Sequence, residues 1–121
     1  MRIALCAPLM EADLLERKLK DAVTDEKLVV DEYNNVDTML KLTGISTYDA
    51  VWIAFSGATG MEAVIRVRGK SRDISIVWIS DDEEFVSVGV GYRLAMFLTP
   101  NSSPEEFRIA VQNSRRRDKL C

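Results

Sequence analysis

Apolar residues along this chain alternate between two kinds of spacing, and the alternation predicts strands followed by helices. Short continuous apolar runs are typical of buried strands, whereas apolar residues three and four positions apart are typical of one face of an amphipathic helix. The continuous runs predict strands over residues 2–6, 28–33, 49–55, 74–79 and 95–98. A segment with helical spacing or with helix-capping residues follows each run.

Helices are predicted over residues 10–23, 61–68 and 81–92, with a second helix after Asn34 or Asn35 and a last helix near the end. An asparagine can cap the second helix, and Gly44 is expected to end it. The last helix is expected to begin at the capping box Ser103-Pro104-Glu105-Glu106. In the first helix, the apolar positions expected to face the core are Met10, Leu14, Leu15, Leu19, Ala22 and Val23.

This order of elements predicts an α/β fold with a five-stranded parallel sheet. Strands that alternate with helices form parallel sheets, because right-handed crossovers place the helices on both faces. The strands at 49–55 and 74–79 are apolar almost throughout, as expected for central strands that are covered on both sides. We expect one domain over residues 1–112, and residues 113–121 read as a basic tail or the start of a linker.

Composition and charge exclude several classes of function. The chain has 121 residues, the length of a single domain. With a formal net charge of -3, the protein is too acidic to bind nucleic acid over its whole surface. It has no histidine, so Ser-His and Cys-His catalytic pairs and His-containing zinc sites are excluded. Its two cysteines, Cys6 and Cys121, are too few for an all-thiolate zinc site and are expected to be reduced. No segment is apolar enough to span a membrane, so we expect a cytoplasmic protein. Any catalysis would have to rest on carboxylates, lysine, serine, threonine or a partner, and we expect a protein that is not an enzyme and needs no cofactor or metal.

The segment between the third strand and the third helix is rich in glycine and hydroxyl groups. Backbone N–H groups at such a turn, next to a helix N-terminus, can hold an anion such as a phosphate. No lysine follows, and the spacing of a dinucleotide-binding loop is absent, so a plain flexible turn is the favoured interpretation. The residues of this weak candidate anion site are Ser56, Gly57, Thr59 and Gly60.

The predicted fourth helix carries apolar residues on two sides, so one side is expected to face the core and the other a partner. Phe85, Val88 and Tyr92 lie on one side, and Val86 and Val90 lie on another. The alternative is that the two valines are scattered surface residues, which are common in soluble proteins.

Basic residues in 66–72 and 115–119 are explained by the preference of cations for helix C-termini. We therefore expect no direct nucleic-acid binding by this domain.

Four stretches of the sequence are informative together: MRIALC at the start, YDAVWIAF at 48–55, IVWISDDEEF at 76–85 and FLTPNSSPEEF at 97–107. They resemble the receiver domain of bacterial response regulators. The resemblance is closest to the branch whose members carry a LytTR-type DNA-binding output domain. It implies a flavodoxin-like fold with strand order 2-1-3-4-5 and a site at the carboxyl ends of the strands. It also implies a partner-binding or homodimer face made by the fourth helix, the fifth strand with Phe97, and the last helix.

The chain departs from this family at the positions that carry its chemistry. Receivers hold Mg²⁺ with an acidic pair after the first strand, where this chain has Ala7 and Pro8. They accept phosphate on an aspartate at the end of the third strand. Counting from Tyr48-Asp49 places Ala54 there, and counting back from Gly60-Met61-Glu62 places Trp52 there. The lysine after the fifth strand is replaced by Thr99-Pro100-Asn101, with Pro100 in its loop, and the hydroxyl residue is kept as Ser80.

The resemblance and its departures together imply a degenerate pseudo-receiver that lacks the phosphoacceptor and the Mg²⁺ ligands. Such a domain is expected to act as a phosphorylation-independent interaction or dimerisation module in signal transduction or transcription regulation. A DNA-binding output domain is expected to follow only if the chain belongs to a longer parent. One alternative is a receiver-like domain that binds a small anionic ligand or a nucleotide at the strand ends. Another is a receiver that is phosphorylated on Asp81 or Asp82.

Overall fold

The computed structural model describes residues 1–42, 44–82 and 91–115 of the chain. Residues 83–90 of the predicted fourth helix and residues 116–121 of the basic tail therefore lie outside the described residues. The elements, in chain order, are β1 (Arg2–Cys6), α1 (Leu9–Ala22), β2 (Val29–Tyr33), α2 (Val36–Leu42), a 3₁₀ turn (Ile45–Thr47), β3 (Ala50–Ile53), α3 (Gly57–Lys70), β4 (Ser75–Ile79), β5 (Met96–Leu98) and α4 (Pro104–Asn113), the last helix.

The five strands form one parallel sheet in the order β2-β1-β3-β4-β5, which confirms the predicted flavodoxin-like receiver fold. Helices cover both faces of the sheet, as the crossover rule requires. One core lies under α1 and α4 and includes Trp52 and Phe107, whose rings stack with their centroids 6.1 Å apart. The other core lies under α2 and α3 and includes Trp78. Among the described residues, no helix is long and apolar enough to cross a membrane.

Local capping signals place two of the helices as the sequence predicts. The side-chain oxygen of Asn35 accepts a hydrogen bond of 2.8 Å from the backbone N–H of Thr38, which caps α2. The hydroxyl of Ser103 accepts from the N–H of Glu106 at 3.2 Å. The Glu106 carboxylate in turn accepts from the N–H of Ser103 at 2.9 Å, which completes a capping box at the start of α4.

The rotation of α1 about its own axis differs from the prediction. The buried positions of this helix are Ala12, Leu15, Leu19 and Ala22. Met10 and Leu14, which were expected in the core, are 91% and 54% exposed. The helix carries more large apolar residues than its core-facing stripe can hold, and the sheet selects the stripe that contains Ala12. The remaining apolar residues, together with Leu9, face solvent.

Candidate functional site

The carboxyl ends of the strands meet along one edge of the sheet, and the residues that follow them form what we call the strand-end site: Ala7, Pro8, Ala54, Ser80 and Pro100. Backbone hydrogen bonds continue the sheet into this edge. The N–H of Ala54 donates to the carbonyl oxygen of Cys6 at 2.8 Å, and the N–H of Ser80 donates to that of Leu98 at 2.9 Å. The edge therefore brings together residues that are far apart in the sequence.

The register of β3 distinguishes the two positions that counting along the sequence left open. Ile53 is the last residue of β3 and pairs with Cys6, so Ala54 is the first residue beyond the strand. Trp52 lies inside the strand, is 1% exposed and packs against Phe107. Ala54 is therefore the residue at the strand-end site, and Trp52 is a core residue.

The residues at this edge do not fit a magnesium ion. Mg²⁺ is held in proteins by carboxylates and other oxygen ligands, with several water molecules retained. Ala7, Pro8 and Ala54 have no side-chain oxygen, and the two alanine methyl groups are buried in the core under α1 and α4. In the part of the chain that the structure describes, no group of three or more His, Cys, Asp or Glu side chains is placed to hold a metal.

The hydroxyl groups near the site are used to hold the backbone after β4. Ser80 is fully buried, and its hydroxyl accepts a hydrogen bond of 3.0 Å from the N–H of Asp82. The hydroxyl of Ser56 accepts from the N–H of Asp81 at 3.3 Å. The first bond holds the segment after β4 in a local turn, and the second fastens this segment to the N-cap of α3.

The glycine-rich segment 56–60 is not the flexible turn that the sequence predicts. Gly57 to Gly60 form the first turn of α3, after Ser56 at the N-cap position. Gly57 has a φ of 62°, in the left-handed region that favours glycine. A side chain at Gly60 would collide with the carbonyl group of Phe55 and with the indole of Trp78. Glycine is therefore needed here so that the helix can approach the end of β3 closely.

The candidate anion site at the start of α3 already has an acidic neighbour. A methyl group added at Gly57 would lie 4.0 Å from a carboxylate oxygen of Asp82. The positive end of a helix dipole attracts such a carboxylate, so Asp82 competes with any external anion for this position. Ser56 contributes its hydroxyl to Asp81, as described above. Thr59 is exposed and lines a groove beside the strand-end site.

This groove lies between α2 and α3 and has a volume of about 220 Å³. Its charged side chains are Asp37, Glu62 and Arg66, and Arg66 forms an ion pair with Asp37. The charges of the lining thus leave the Glu62 carboxylate unbalanced, which disfavours an anionic ligand. The lining residues are Asn34, Asn35, Val36, Asp37, Phe55, Thr59, Glu62, Ala63 and Arg66.

A lysine that the sequence analysis did not single out reaches the loop after β5. The Nζ of Lys18, on α1, donates a hydrogen bond of 3.0 Å to the carbonyl oxygen of Pro100. The hydroxyl of Ser102 accepts from the N–H of Thr99 at 2.9 Å and holds the same loop. Lys18 and Pro100 are 82 positions apart, so no local pattern in the sequence points to this contact.

Only part of the candidate interaction face can be placed. Phe97 on β5 is half-buried, and its ring meets that of Trp78 edge to face, with the centroids 5.5 Å apart. Tyr92 lies in a turn before β5, and its carbonyl oxygen accepts a hydrogen bond of 3.1 Å from the Arg68 guanidinium. The other residues predicted for this face, Phe85, Val86, Val88 and Val90, lie outside the described residues.

Two groups near the strand ends have shifted pKa values. Burial raises the pKa of the Cys6 thiol to about 12, so this cysteine is not a nucleophile near neutral pH. A hydrogen bond with the carboxyl group of Glu16 on α1 is the main reason why the pKa of Glu32 on β2 is raised to about 7. The same bond lowers the pKa of Glu16, which also pairs with Lys20 at 2.8 Å. The two carboxyl groups thus share one proton below neutral pH.

Comparison with known proteins establishes the fold and nothing finer. No family model matches the sequence, and no curated protein matches it. A sensor protein from Polaromonas sp. JS666 is similar in structure, with a TM-score of 0.74, 16% identity and coverage of 99% of this chain and 98% of that one. The non-phosphorylated HemR receiver domain from Leptospira biflexa has a TM-score of 0.74 at 17% identity, over 93% and 92% of the two chains.

A third structure provides a chemical contrast. It is the receiver domain of a sensor histidine kinase from Pseudomonas aeruginosa PAO1, with a magnesium ion coordinated in its active-site cleft. The TM-score is 0.72 at 14% identity, over 93% of this chain and 96% of that one. The backbone of the present chain follows the same fold, while Ala7, Pro8 and Ala54 at its strand-end site provide no carboxylate.

Proposed function

We propose that this chain is a degenerate receiver domain that works as a protein-interaction module in signal transduction, without phosphorylation. The observation that carries the proposal is the chemistry of the strand-end site, where Ala7, Pro8 and Ala54 occupy the ends of β1 and β3. The fold supports a signalling domain of the receiver type. The side chains at its carboxyl edge support a role that does not use phosphoryl transfer.

Phosphoryl transfer consists mainly of positioning and of neutralising charge around a nucleophile. A methyl group at Ala54 cannot accept a phosphoryl group, and the neighbouring Ala7 and Pro8 cannot bring a metal to it. Lys18 is the cation that approaches the loop after β5, and its Nζ is bound to a carbonyl oxygen. The described residues that follow β1 and β3 thus supply neither a nucleophile nor a carboxylate ligand for a metal.

Phosphorylation on Asp81 or Asp82 is the competing interpretation, and the geometry disfavours it. Both residues follow β4, whose end is separated from the end of β1 by the whole width of β3. The carboxylate of Asp82 lies beside the N-terminus of α3, where its charge stabilises the helix. We therefore interpret both aspartates as residues that stabilise the segment after β4.

The same contacts support a domain that stays in one state. Ser80 is fully buried, and its hydroxyl oxygen accepts the N–H of Asp82, which gives this residue a structural role in the segment after β4. The ring of Phe97 packs edge to face on Trp78, which holds it against the sheet. A domain of this kind is expected to present a constant surface to its partner, in the cytoplasm and without enzymatic activity of its own.

The partner face that we propose from the family resemblance comprises the fourth predicted helix, β5 and α4. Phe97 and Tyr92 are its described members. Membership of the LytTR-associated branch is part of the same proposal. If a longer parent protein carries a DNA-binding output domain, the regulated process is transcription.

A phosphodonor assay tests the proposal. The protein is incubated with acetyl phosphate and Mg²⁺, and its intact mass is measured, with a receiver that retains the acidic pocket as a positive control. We expect no phosphoryl adduct on this chain under conditions that modify the control. An acid-labile adduct that maps to an aspartate would overturn the proposal, and an adduct on Asp81 or Asp82 would establish the competing interpretation.

The alternative of a small anionic ligand is tested separately, by thermal unfolding in the presence of phosphate, nucleoside triphosphates or cyclic nucleotides. The carboxylates of Asp82 and Glu62 beside the candidate positions lead us to expect no rise in the unfolding temperature. A rise that saturates with nucleotide concentration, and that Gly57→Asp abolishes, would establish the ligand-binding function instead.

A further inference from the structure

Two guanidinium groups converge at the amino-terminal edge of the sheet, which is the edge opposite the strand-end site. Arg68 lies in the last turn of α3, and Arg93 lies in the turn before β5. Both donate to the carbonyl oxygen of Arg72, Arg68 at 3.0 Å and Arg93 at 2.8 Å. Two positive charges are thus held against one oxygen atom, close enough to repel each other.

The guanidinium of Arg68 is held by backbone carbonyl groups. It also donates to the carbonyl oxygens of Ile74 at 2.7 Å and Tyr92 at 3.1 Å, and to those of Ser71 and Arg93 at 3.3 and 3.4 Å. Burial and the charge of Arg93 both lower the pKa of Arg68, but a guanidinium stays protonated in proteins. The side chain therefore joins the loop after α3 to the turn before β5 and keeps its charge.

Arg93 holds its position with an unfavourable backbone conformation. Its φ is 56°, in the left-handed region that favours glycine, and no other non-glycine residue in the described part of the chain has a positive φ. The fold thus keeps a strained backbone and a like-charged neighbour at the same position. Strain of this kind is concentrated at functional sites, which points to a role for Arg93 beyond the stability of its turn.

Two further exposed cations lie on this edge, at the end of α3 and just after it. With the two arginines above, they form what we call the basic patch: Arg68, Lys70, Arg72 and Arg93. Among the described residues, no carboxylate forms an ion pair with any of the four. Asp73, in the same loop, acts on the charge of Arg68 without pairing with it. The carboxylate of Asp49, just before β3, accepts the N–H of Arg2 at 2.8 Å. The patch therefore has an excess of positive charge.

The charge of the whole chain indicates what kind of partner fits the patch. The chain is acidic, with a formal net charge of -3, so the positive potential is confined to one corner of the molecule. A nucleic acid carries phosphates along its whole length and would meet the acidic remainder of the surface. Stacking of bases requires exposed aromatic side chains, and Tyr92 beside the patch is half-buried against the core under α2 and α3. A short acidic segment of a protein has to cover only the patch, and the planar fork of arginine matches a carboxylate.

We propose that the basic patch is a docking site for an acidic segment of a partner protein, rich in aspartate or glutamate. Lys70, Arg72 and Arg93 bind its carboxylates, and Arg68 holds the two loops in place for them. This inference deepens the proposed function, on whose role as an interaction module it rests, by naming the chemistry of one partner. Through Arg68 the patch adjoins the turn that carries Tyr92, a member of the proposed partner face.

Fluorescence anisotropy with a dye-labelled octaglutamate peptide tests the proposal on the full chain. We expect saturable binding that weakens with added salt, because the contacts are between exposed charges. Lys70→Gln combined with Arg72→Gln should raise the dissociation constant about fivefold or more, since two charge contacts are lost. The backbone carbonyl of residue 72 remains in this variant, so the fold should be intact, and circular dichroism checks that it is.

Arg116→Gln combined with Arg117→Gln is the matched control, because it removes the same net charge from the basic tail of the sequence. It should leave the dissociation constant within about twofold of that of the unmodified protein. Arg93→Gly should weaken binding without lowering the unfolding temperature, since glycine adopts this φ without strain. Absence of binding, or an equal loss in the tail variant and in the Lys70 and Arg72 variant, would overturn the inference.

An oligothymidine of the same net charge separates an acidic protein segment from a nucleic acid. We expect octaglutamate to bind more tightly, and tighter binding of the oligothymidine through Lys70 and Arg72 would overturn the assignment to a protein partner. These outcomes are independent of the phosphodonor assay. A phosphoryl adduct there would overturn the proposed function and leave the measured peptide affinity as it stands, whereas a failure to bind octaglutamate would leave the mass measurement as it stands.

Discussion

The indole Nε1 of Trp78 donates a hydrogen bond of 2.8 Å to the carbonyl oxygen of Phe55, at the point where the end of β3 turns into α3. Gly60 lies directly against this bond, within α3. The bond joins β4 to the turn after β3, and the absence of a side chain at position 60 leaves room for it. The close packing beside the strand-end site therefore depends on one glycine.

Gly60→Ala is expected to destabilise the fold strongly. The added methyl carbon would lie 2.5 Å from Trp78 Nε1 and 2.8 Å from the carbonyl carbon of Phe55, so the helix or the turn must move. We expect the free energy of unfolding to fall by about 3 kcal/mol or more, as for other substitutions that overpack a core. Urea denaturation followed by circular dichroism measures the change.

Gly69→Ala is the matched control in the same helix. No atom lies within 4 Å of the added carbon, and alanine is the better helix former, so the free energy of unfolding should rise by up to about 1 kcal/mol. Equal effects at positions 60 and 69 would contradict the account of the Phe55 turn.

Ala54→Asp is expected to destabilise the protein and not to create a phosphorylation site. Ala54 is 8% exposed and packs in the apolar core under α1 and α4, so an ionised carboxylate there loses solvation. We expect a loss of about 1–3 kcal/mol at pH 8. The loss should be smaller at pH 5, because burial raises the pKa of the new carboxyl group in the folded state and stability falls as the pH rises through that range.

Ala54→Asn is the neutral control for this substitution, with a similar shape and no charge. Its effect on stability should be the same at pH 5 and pH 8. If Ala54→Asp were as stable as Ala54→Asn at pH 8, or gained stability from Mg²⁺, the strand-end site would have ligands for a charge that the structure does not place there.

Glu32→Gln is expected to stabilise the protein above neutral pH. The pKa of Glu32 is raised to about 7 in the folded state, from an ordinary value near 4.5. The folded state therefore binds the extra proton between these values, and stability falls as the pH rises towards 7, since the two carboxylates then repel each other. Glutamine keeps a donor for the Glu16 carboxylate at every pH.

The measurement is the difference in unfolding temperature between Glu32→Gln and the unmodified protein from pH 5 to pH 9. We expect a small difference at pH 5 and a larger, positive one at pH 8, with the rise falling between about pH 4.5 and pH 7 and a constant difference above that range. Glu62→Gln, an exposed substitution on α3, serves as the control, and the same pH dependence in both variants would mean that the effect is not specific to the contact between Glu16 and Glu32. A flat difference for Glu32→Gln would show that the two carboxyl groups do not share a proton.

Ser114→Ala is expected to cost about 1–2 kcal/mol, because it leaves the buried Trp52 indole without an acceptor. The Nε1 of Trp52 donates to the Ser114 hydroxyl at 3.2 Å, and this hydroxyl donates to the carbonyl oxygen of Ala110 at 2.7 Å. A double-mutant cycle with Trp52→Phe measures the coupling: Ser114→Ala should cost less in the Trp52→Phe background, where no indole N–H is left without an acceptor. Additive losses would mean that the bond contributes nothing to stability.

The fold could be predicted because the apolar spacing, the capping residues and the order of the elements all indicate the same structure. The apolar run of β1 begins and ends where the pattern places it, and the capping residues Asn35 and Ser103 mark the starts of their helices. The order of strands follows from the crossover rule together with the family resemblance. These features depend on short stretches of chain, which is why the sequence contains them.

The orientation of α1 could not be predicted from its spacing. Two overlapping apolar stripes satisfy the helical period, one through Met10 and Leu14 and one through Ala12 and Leu15. The sheet selects the second stripe, and a small alanine gives no signal of its burial. The start of α3 was misplaced for a related reason, because glycine usually ends helices and the contact that requires Gly60 comes from Trp78, a residue of another strand.

The sequence predicts that the strand-end site lacks carboxylates, but it does not predict which residue lies at the end of β3. Counting along the chain gave Ala54 or Trp52, because the turn after β3 is shorter than the resemblance implies. Pairing with β1 gives Ala54, and this information exists only in the assembled sheet. The contact between Lys18 and Pro100 likewise depends on the packing of α1 beside the loop after β5.

The two tryptophans of the chain lie on opposite faces of the sheet, and each indole N–H has its own acceptor. Each face thus has its own built-in fluorophore: Trp52 emits from the layer under α1 and α4, and Trp78 from the layer under α2 and α3. Replacing one tryptophan by phenylalanine leaves an intrinsic optical reporter for a single layer. Superimposable emission curves from the two variants would mean that the layers melt as one cooperative unit, and separated curves would reveal which layer opens first.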